Sequence, residues 1–298
     1  MTIGGASSPS SALPVLAPRQ ADSHKGTFGR ALLVGGSRGM TGAIALAGMG
    51  ALRGGAGLVQ LAVPASCVDV VAGFEPSYLT LPLPDDGDGR IAASARAVLE
   101  ERLPHATAIA CGPGLGRSPD LNELVRWLYR NVAAPLVCDA DALGALAEMR
   151  AVLSKPAGPR ILTPHPGEFA RLRHVERPPS GDARQRLAEE FARQHGVVVV
   201  LKGHATCVTD GQQTRINPTG NPGMATGGTG DVLTGLITAL MCQAMSPFDA
   251  AVLGVYLHGL AGDLAAERLG QVSLIARDIV DYLPTAFQRH LGLDASAS

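Results

Sequence analysis

Apolar residues along this chain gather in short, nearly unbroken runs instead of alternating with polar ones. The runs are ALLV (31–34), LVQLAV (58–63), AIAC (108–111), PLVC (135–138), RILT (160–163) and VVVVL (197–201). A strand buried on both faces reads this way. Between the runs lie segments with helical character at 41–53, 93–103, 119–130, 142–149 and 183–195. Strand–helix alternation of this kind predicts a mostly parallel sheet covered by helices on both faces, an α/β fold in three layers. Residues 205–209 and 213–216, joined across Asp210-Gly211, predict a hairpin at the sheet edge. Three longer helices follow, at 231–244, 247–269 and 276–289. No internal repeat or linker divides the chain, so residues 24–298 are expected to form a single domain. Residues 1–23, rich in Ser, Pro, Ala and Gly without an apolar period, are expected to be a disordered tail.

Composition sharpens this picture. With 46% hydrophobic but only 4% aromatic residues, the core must be built from small side chains at close approach. A net charge of −1 offers no field for nucleic acid or an anionic membrane, so neither is expected as a partner. Five scattered cysteines without CxxC spacing point to buried free thiols, not to a disulfide framework or a metal cage. The first residues carry no basic segment ahead of an apolar stretch, and the uncharged run 232–248 is too short and polar to span a bilayer. A soluble, cytoplasmic protein is expected.

The candidate chemistry clusters where strands end. In NPTGNPGMATGGTGDVLTG (217–235), Gly227, Gly228, Thr229 and Gly230 lead into a helix that begins near Asp231. Glycines let successive amides turn to one point, and a helix's first turn leaves further amides unpaired. Together they make an anion cradle suited to a transferring phosphoryl group. Asp231 would stand at its rim, held ionised by the helix dipole, ready to take a hydroxyl proton. The plainer alternative is a glycine turn with an aspartate at a helix start. In ILTPHPGEF (161–169), two prolines fix His165 at a strand end, and Glu168 reads as a carboxylate at a helix N-terminus. VVVVLKGHAT (197–206) carries a strand into Lys202, Gly203, His204, Ala205 and Thr206, a cation and hydroxyl suited to a nucleotide. The competing reading of Lys202 is an edge-strand charge that deters aggregation. VCDADAL (137–143) sets Asp139 and Asp141 after another strand, either to cap a helix or to hold Mg²⁺ through water. CGPGLGR (111–117) and the glycine turn after Val34 add two places where a ligand could approach the main chain.

Taken together, TPHPGEF, LKGHAT and TGNPGMATGGTGDVLTG resemble the ADP-dependent NAD(P)H-hydrate dehydratases of the ribokinase-like superfamily. The likeness runs from about Lys25 to the last helix. It implies a ribokinase-like α/β/α sandwich that uses ADP as cosubstrate with Mg²⁺ and returns the hydrated nicotinamides NADHX and NADPHX to NADH and NADPH. Carried over by residue, the resemblance implies nucleotide binding by Lys202 to Thr206 and Gly230. It implies substrate binding by Ala43, Gly114, Gly116 and His165, with Gly116 favoured of the two glycines, and catalysis by Asp231. It further implies an NAD(P)HX epimerase as functional partner, and the chain is expected to be the stand-alone dehydratase. A homo-oligomer is expected, with a tetramer the size considered. Two other readings stand beside this one: a vitamin-precursor kinase of the same superfamily, and a nucleotide sensor without turnover.

Overall fold

The computed structural model describes residues 12–178, 181 and 183–293. In chain order its elements are β1 (Arg30–Val34), α1 (Thr41–Arg53), β2 (Leu58–Pro64), α2 (Val68–Ala72), β3 (Leu79–Leu83), α3 (Ala95–Arg102), β4 (Ala108–Cys111), α4 (Pro119–Asn131), β5 (Leu136–Cys138) and α5 (Asp141–Glu148). There follow β6 (Arg160–Leu162), α6 (Pro166–Arg173), α7 (Ala183–His195), β7 (Val198–Leu201), β8 (Cys207–Thr209), β9 (Thr214–Ile216), α8 (Thr229–Cys242), α9 (Pro247–Leu269) and α10 (Ala276–His290).

All nine strands join one sheet in the order β3-β2-β1-β4-β5-β6-β7-β8-β9. The pairs from β3 through β7 are parallel, while β7–β8 and β8–β9 are antiparallel, as the edge hairpin predicts. Alternate residues of β1 feed two separate apolar layers. Ala31 and Leu33 join the layer beneath α1, α2 and α8–α10, whereas Leu32 and Val34 join the layer beneath α3–α7. The result is the expected α/β/α sandwich. The strand order reverses between β1 and β4, which opens a crevice at their carboxyl ends.

Two elements escape the sequence pattern. β3 carries Pro82, which cannot donate to a ladder, and it survives because β3 is an edge strand. α2 spans only five residues. Of the expected tail, residues 1–11 lie outside those described. From Ala12 to Ser23 the chain is irregular but not detached. Leu13 and Leu16 pack on the core, and Arg19 donates to the Gly55 carbonyl oxygen at 2.9 Å and stacks over Phe28.

Small residues set the position of the site. A Cβ on Gly235 would stand 1.8 Å from the Ala47 carbonyl oxygen, and one on Gly50 2.3 Å from that of Val232. α1 and α8 therefore touch backbone to backbone, which fixes the N-terminal turn of α8 over the sheet. All five cysteines are buried free thiols. No helix among the described residues is long and apolar enough to cross a membrane.

Candidate active site

Beyond the carboxyl ends of β6 and β7 lies a cavity of about 880 Å³. Lys202, Gly203, His204, Ala205 and Thr206 form one wall, Thr229 and Gly230 of α8 another, and residues 216–226 a third. Gly203 and Ala205 have positive φ angles of 137° and 53°, so the loop after β7 doubles back tightly beneath the cavity. An alanine in the left-handed region costs about 1 kcal/mol, a strain that the surroundings must hold in place. Arg184 of α7 does so by donating to the carbonyl oxygens of Leu201, Lys202 and His204 at 2.6, 2.7 and 2.9 Å. The 216–226 segment is strapped to α9: Gly220 N–H and the Asn221 side chain donate to Asp263 at 2.8 and 2.9 Å, and Thr219 Oγ1 donates to the Tyr256 carbonyl oxygen.

The glycines before α8 divide their work. Gly228, with φ of 92°, starts the helix, and a Cβ there would meet Leu46 Cδ1 at 2.5 Å. Packing requires that glycine, whatever binds nearby. At Gly230 a Cβ would lie 3.3 Å from Lys202 Nζ and 3.8 Å from Asp139 Oδ2. The bare first turn of α8 thus faces the lysine head directly. Gly227 meets nothing within 4 Å and belongs to the open part of the loop.

Asp139 is neither a helix cap nor a free metal ligand. Lys202 Nζ donates to its Oδ1 and Thr234 Oγ1 to its Oδ2, both at 2.7 Å, and the residue is 1% exposed. Asp141 is also spoken for, accepting from Gly116 N–H at 2.9 Å and pairing with Arg117 at 3.4 Å. Ala140 occupies the cap position of α5 without a side-chain bond. Among the described residues no group of three His, Cys, Asp or Glu side chains is placed to hold a metal ion.

Lys202 draws three carboxyl groups into one field. Burial alone would lower its pKa, but Asp139, Glu168 and Asp231 outweigh that and hold the ammonium above its ordinary value. Asp231 goes the other way from the dipole argument. Burial first, and the Asp139 carboxylate second, push it up to about 7. Lost water outweighs the helix dipole here. None of the described residues donates a hydrogen bond to the Asp231 carboxylate. Glu168 is likewise raised, chiefly by burial.

His165 is the N-cap of α6. Its Nδ1 accepts from Gly167 N–H at 3.0 Å and Glu168 N–H at 3.3 Å, while Glu168 Oε2 accepts from His165 N–H at 2.8 Å. The two flanking prolines serve this capping box. The ring proton is thereby placed on Nε2, and the half-exposed ring stands on the rim of the nucleotide-sized cavity, beside Lys202. Ala43, Gly114 and Gly116 are elsewhere, in the β1/β4 crevice. Gly114 lies against α1, where a Cβ would come 3.0 Å from that of Ala43. Gly116 is tied to Asp141, whose charge also acts on Asp231. Asp231 therefore feels charges from both sides, Lys202 and Asp139 beside the large cavity and Asp141 beside the crevice.

Sequence reasoning missed the α8 and α9 side of the cavity, lined by Leu233, Val255, His258 and Gly259. It also missed the brace Arg184 and the strap Asp263. Each sits in an ordinary amphipathic or apolar stretch, and nothing local distinguishes it.

Comparison with known proteins identifies the family. A family model described as NAD(P)H-hydrate dehydratase matches residues 31–285. The chain is 48% identical over 268 residues to the bifunctional NAD(P)H-hydrate repair enzyme Nnr of Moorella thermoacetica, covering 89% of this chain and 50% of that one. It is 38% identical over 276 residues to the ADP-dependent (S)-NAD(P)H-hydrate dehydratase of Bacillus subtilis, covering 92% and 94%. The crystal structure of the Bacillus subtilis ADP/ATP-dependent NAD(P)H-hydrate dehydratase, co-crystallised with ATP/Mg²⁺, superposes with a TM-score of 0.77 at 34% identity, covering 92% and 94%. The ribokinase of Thermotoga maritima, at 16% identity and a TM-score of 0.53, shares the fold. The chain spans about half the length of the bifunctional relatives it matches. This chain belongs to the NAD(P)H-hydrate dehydratase family.

Proposed function

We propose that this chain is a hydro-lyase that uses ADP to dehydrate the S-epimer of NADHX and NADPHX, giving NADH or NADPH, AMP and phosphate. The observation that carries the reading is Asp231, a carboxyl group without a hydrogen-bond donor among the described residues, pushed up to about 7, in the first turn of α8 and within the field of the Lys202 ammonium. A proton acceptor works best with a pKa near the working pH.

Hydroxide is a poor leaving group from C6 of the tetrahydronicotinamide ring. In the proposed sequence the C6 hydroxyl attacks the β-phosphoryl group of ADP as Asp231 takes its proton, and AMP departs. The α8 amides and Lys202 stabilise the charge on the transferring group. The ring nitrogen's electron pair then expels phosphate from C6, and loss of the C5 proton restores the C5–C6 double bond. Lys202 to Thr206 and Gly230 would hold ADP in the large cavity, and Ala43, Gly114 and Gly116 would border the hydrate in the crevice. His165, whose Nδ1 already accepts from two backbone amides, would turn its Nε2 edge toward a phosphate oxygen and would serve as a donor, not as a base.

Among the described residues there is no three-ligand cage, and Mg²⁺ would arrive with the nucleotide and be held mainly by its phosphate oxygens. The surplus of carboxyl groups around Lys202 favours such a cation, which supplies charge neutralisation. A homo-oligomer, cytoplasmic residence and an NAD(P)HX epimerase as functional partner complete the proposal. The bifunctional relatives, whose names couple two activities, support the last of these.

The test is incubation with ADP, Mg²⁺ and acid-aged NADH or NADPH. Return of absorbance at the reduced-nicotinamide band, dependent on ADP and matched by AMP, is expected. A phosphorylated alcohol without recovery would make the chain a kinase, and nucleotide binding alone a sensor.

A further inference from the structure

His258 lies in the apolar helix α9, 9% exposed, and lines the large cavity. Its Nε2 is 2.8 Å from the carbonyl oxygen of Thr229, the first residue of α8. A carbonyl oxygen only accepts, so Nε2 carries the proton and the neutral ring presents a bare lone pair at Nδ1. Nδ1 has no hydrogen-bond partner among the described residues, and it is not one of the polar atoms sealed from solvent. Since the ring lines the cavity, that lone pair opens into it. Burial, with a smaller contribution from Lys202, pushes the imidazole down to about 4, so Nδ1 remains an acceptor at neutral pH.

A bare nitrogen lone pair repels phosphate oxygens. In a nucleotide, the groups able to satisfy it are the ribose hydroxyls and the exocyclic amino group of adenine. We propose that Nδ1 of His258 accepts a hydrogen bond from the nucleoside half of the bound nucleotide, a ribose hydroxyl or the adenine amino group, and thereby selects among nucleotides. The inference rests on the cavity being the ADP site. It gives His258 two tasks, holding the start of α8 through Nε2 and reading the nucleoside through Nδ1.

Two substitutions separate those tasks. His258→Gln keeps an amide donor within reach of the Thr229 carbonyl and leaves no acceptor at the Nδ1 position, its own carbonyl oxygen lying farther along the side chain. His258→Asn keeps a polar group near the Nδ1 position and gives up the Thr229 bond. Calorimetric titration with ADP, 2′-deoxy-ADP, 3′-deoxy-ADP and inosine diphosphate, without dinucleotide, reads nucleotide affinity directly. The wild type should bind one analogue at least about tenfold more weakly than ADP, because that analogue leaves a buried acceptor unpaired. The identity of that analogue tells ribose from adenine. In H258Q the gap should shrink to below about threefold through weaker ADP binding, while H258N keeps it.

The proposal is overturned if the wild type binds all four nucleotides within about threefold, or if H258Q weakens all four by a common factor and leaves the gap intact. Should H258Q fail to fold, as thermal unfolding would reveal, the wild type and H258N decide: a gap in both supports the proposal, and its absence from either overturns it. ADP binding without discrimination counts against His258 alone. No ADP binding at all counts against the function proposed above.

Discussion

Replacing Asp231 with Asn removes one charge and one proton acceptor while preserving the shape of the first turn of α8. The wild-type carboxyl is raised from 3.8 to about 7 by burial and the neighbouring Asp139. With that value, about a tenth of the molecules carry an ionised Asp231 at pH 6 and about nine-tenths at pH 8. Only the ionised form accepts a proton, so wild-type kcat/KM should rise roughly tenfold over that interval and then level. Loss of a general base costs about 10²- to 10⁴-fold, whereas ADP is anchored by the Lys202 loop and should bind within about threefold of normal.

Stability should move in the opposite direction. A carboxyl whose pKa is raised by folding contributes stability in full below 3.8, and that contribution is lost as pH climbs through about 7. Asn does not titrate, so D231N should gain on the wild type across that window and hold its advantage above it. Three pK units correspond to an upper bound of about 4 kcal/mol, and relaxation at a helix terminus reduces this to about 1–2 kcal/mol. Urea unfolding at pH 4.5 and pH 8, beside kcat/KM from pH 5.5 to 9, measures both effects. Turnover within tenfold of wild type, or a pH step near 7 that persists in D231N, would assign the base to another group. A variant less stable than wild type at pH 8 would refute the burial argument.

Gly230→Ala should keep the fold, since alanine favours helices, yet weaken ADP binding about 10- to 100-fold because the new methyl stands against the Lys202 ammonium; calorimetry of the variant checks this. Lys202→Ala leaves Asp139 buried with only the Thr234 bond and should cost about 3 kcal/mol in urea unfolding, most of it recovered on adding Asp139→Asn. Arg160, 1% exposed, donates to the carbonyl oxygens of Tyr129, Val132 and Ala134 at the end of α4. Arg160→Met should therefore cost about 3–5 kcal/mol by denaturation, with the activity of the folded fraction unchanged.

The parallel strands were legible because burial on both faces writes itself as runs such as AIAC and VVVVL. β3 was not, because Leu79 is exposed and Pro82 breaks its pattern, conditions that only an edge position permits. Within the site, backbone chemistry was legible: the glycines before α8 and the Lys202 loop announce themselves by residue type. Side-chain pairing was not. Asp139 meets Lys202 across 63 residues and Thr234 across 95, and nothing in VCDADAL tells an ion pair from a cap. The ionisation of Asp231 was misjudged for the same reason. A helix dipole can be inferred from one segment, but loss of water depends on every element packed around it.

The hydroxyl oxygen itself can be followed. NADH hydrated in ¹⁸O-enriched water carries the label at C6, and mass spectrometry of the phosphate formed with ADP reports where that oxygen goes. If the C6 hydroxyl attacks the phosphoryl group beside α8, each phosphate released contains one ¹⁸O. Unlabelled phosphate, with the heavy oxygen recovered in water, would mean that ADP is merely hydrolysed alongside a direct dehydration, contradicting the transfer on which the account rests.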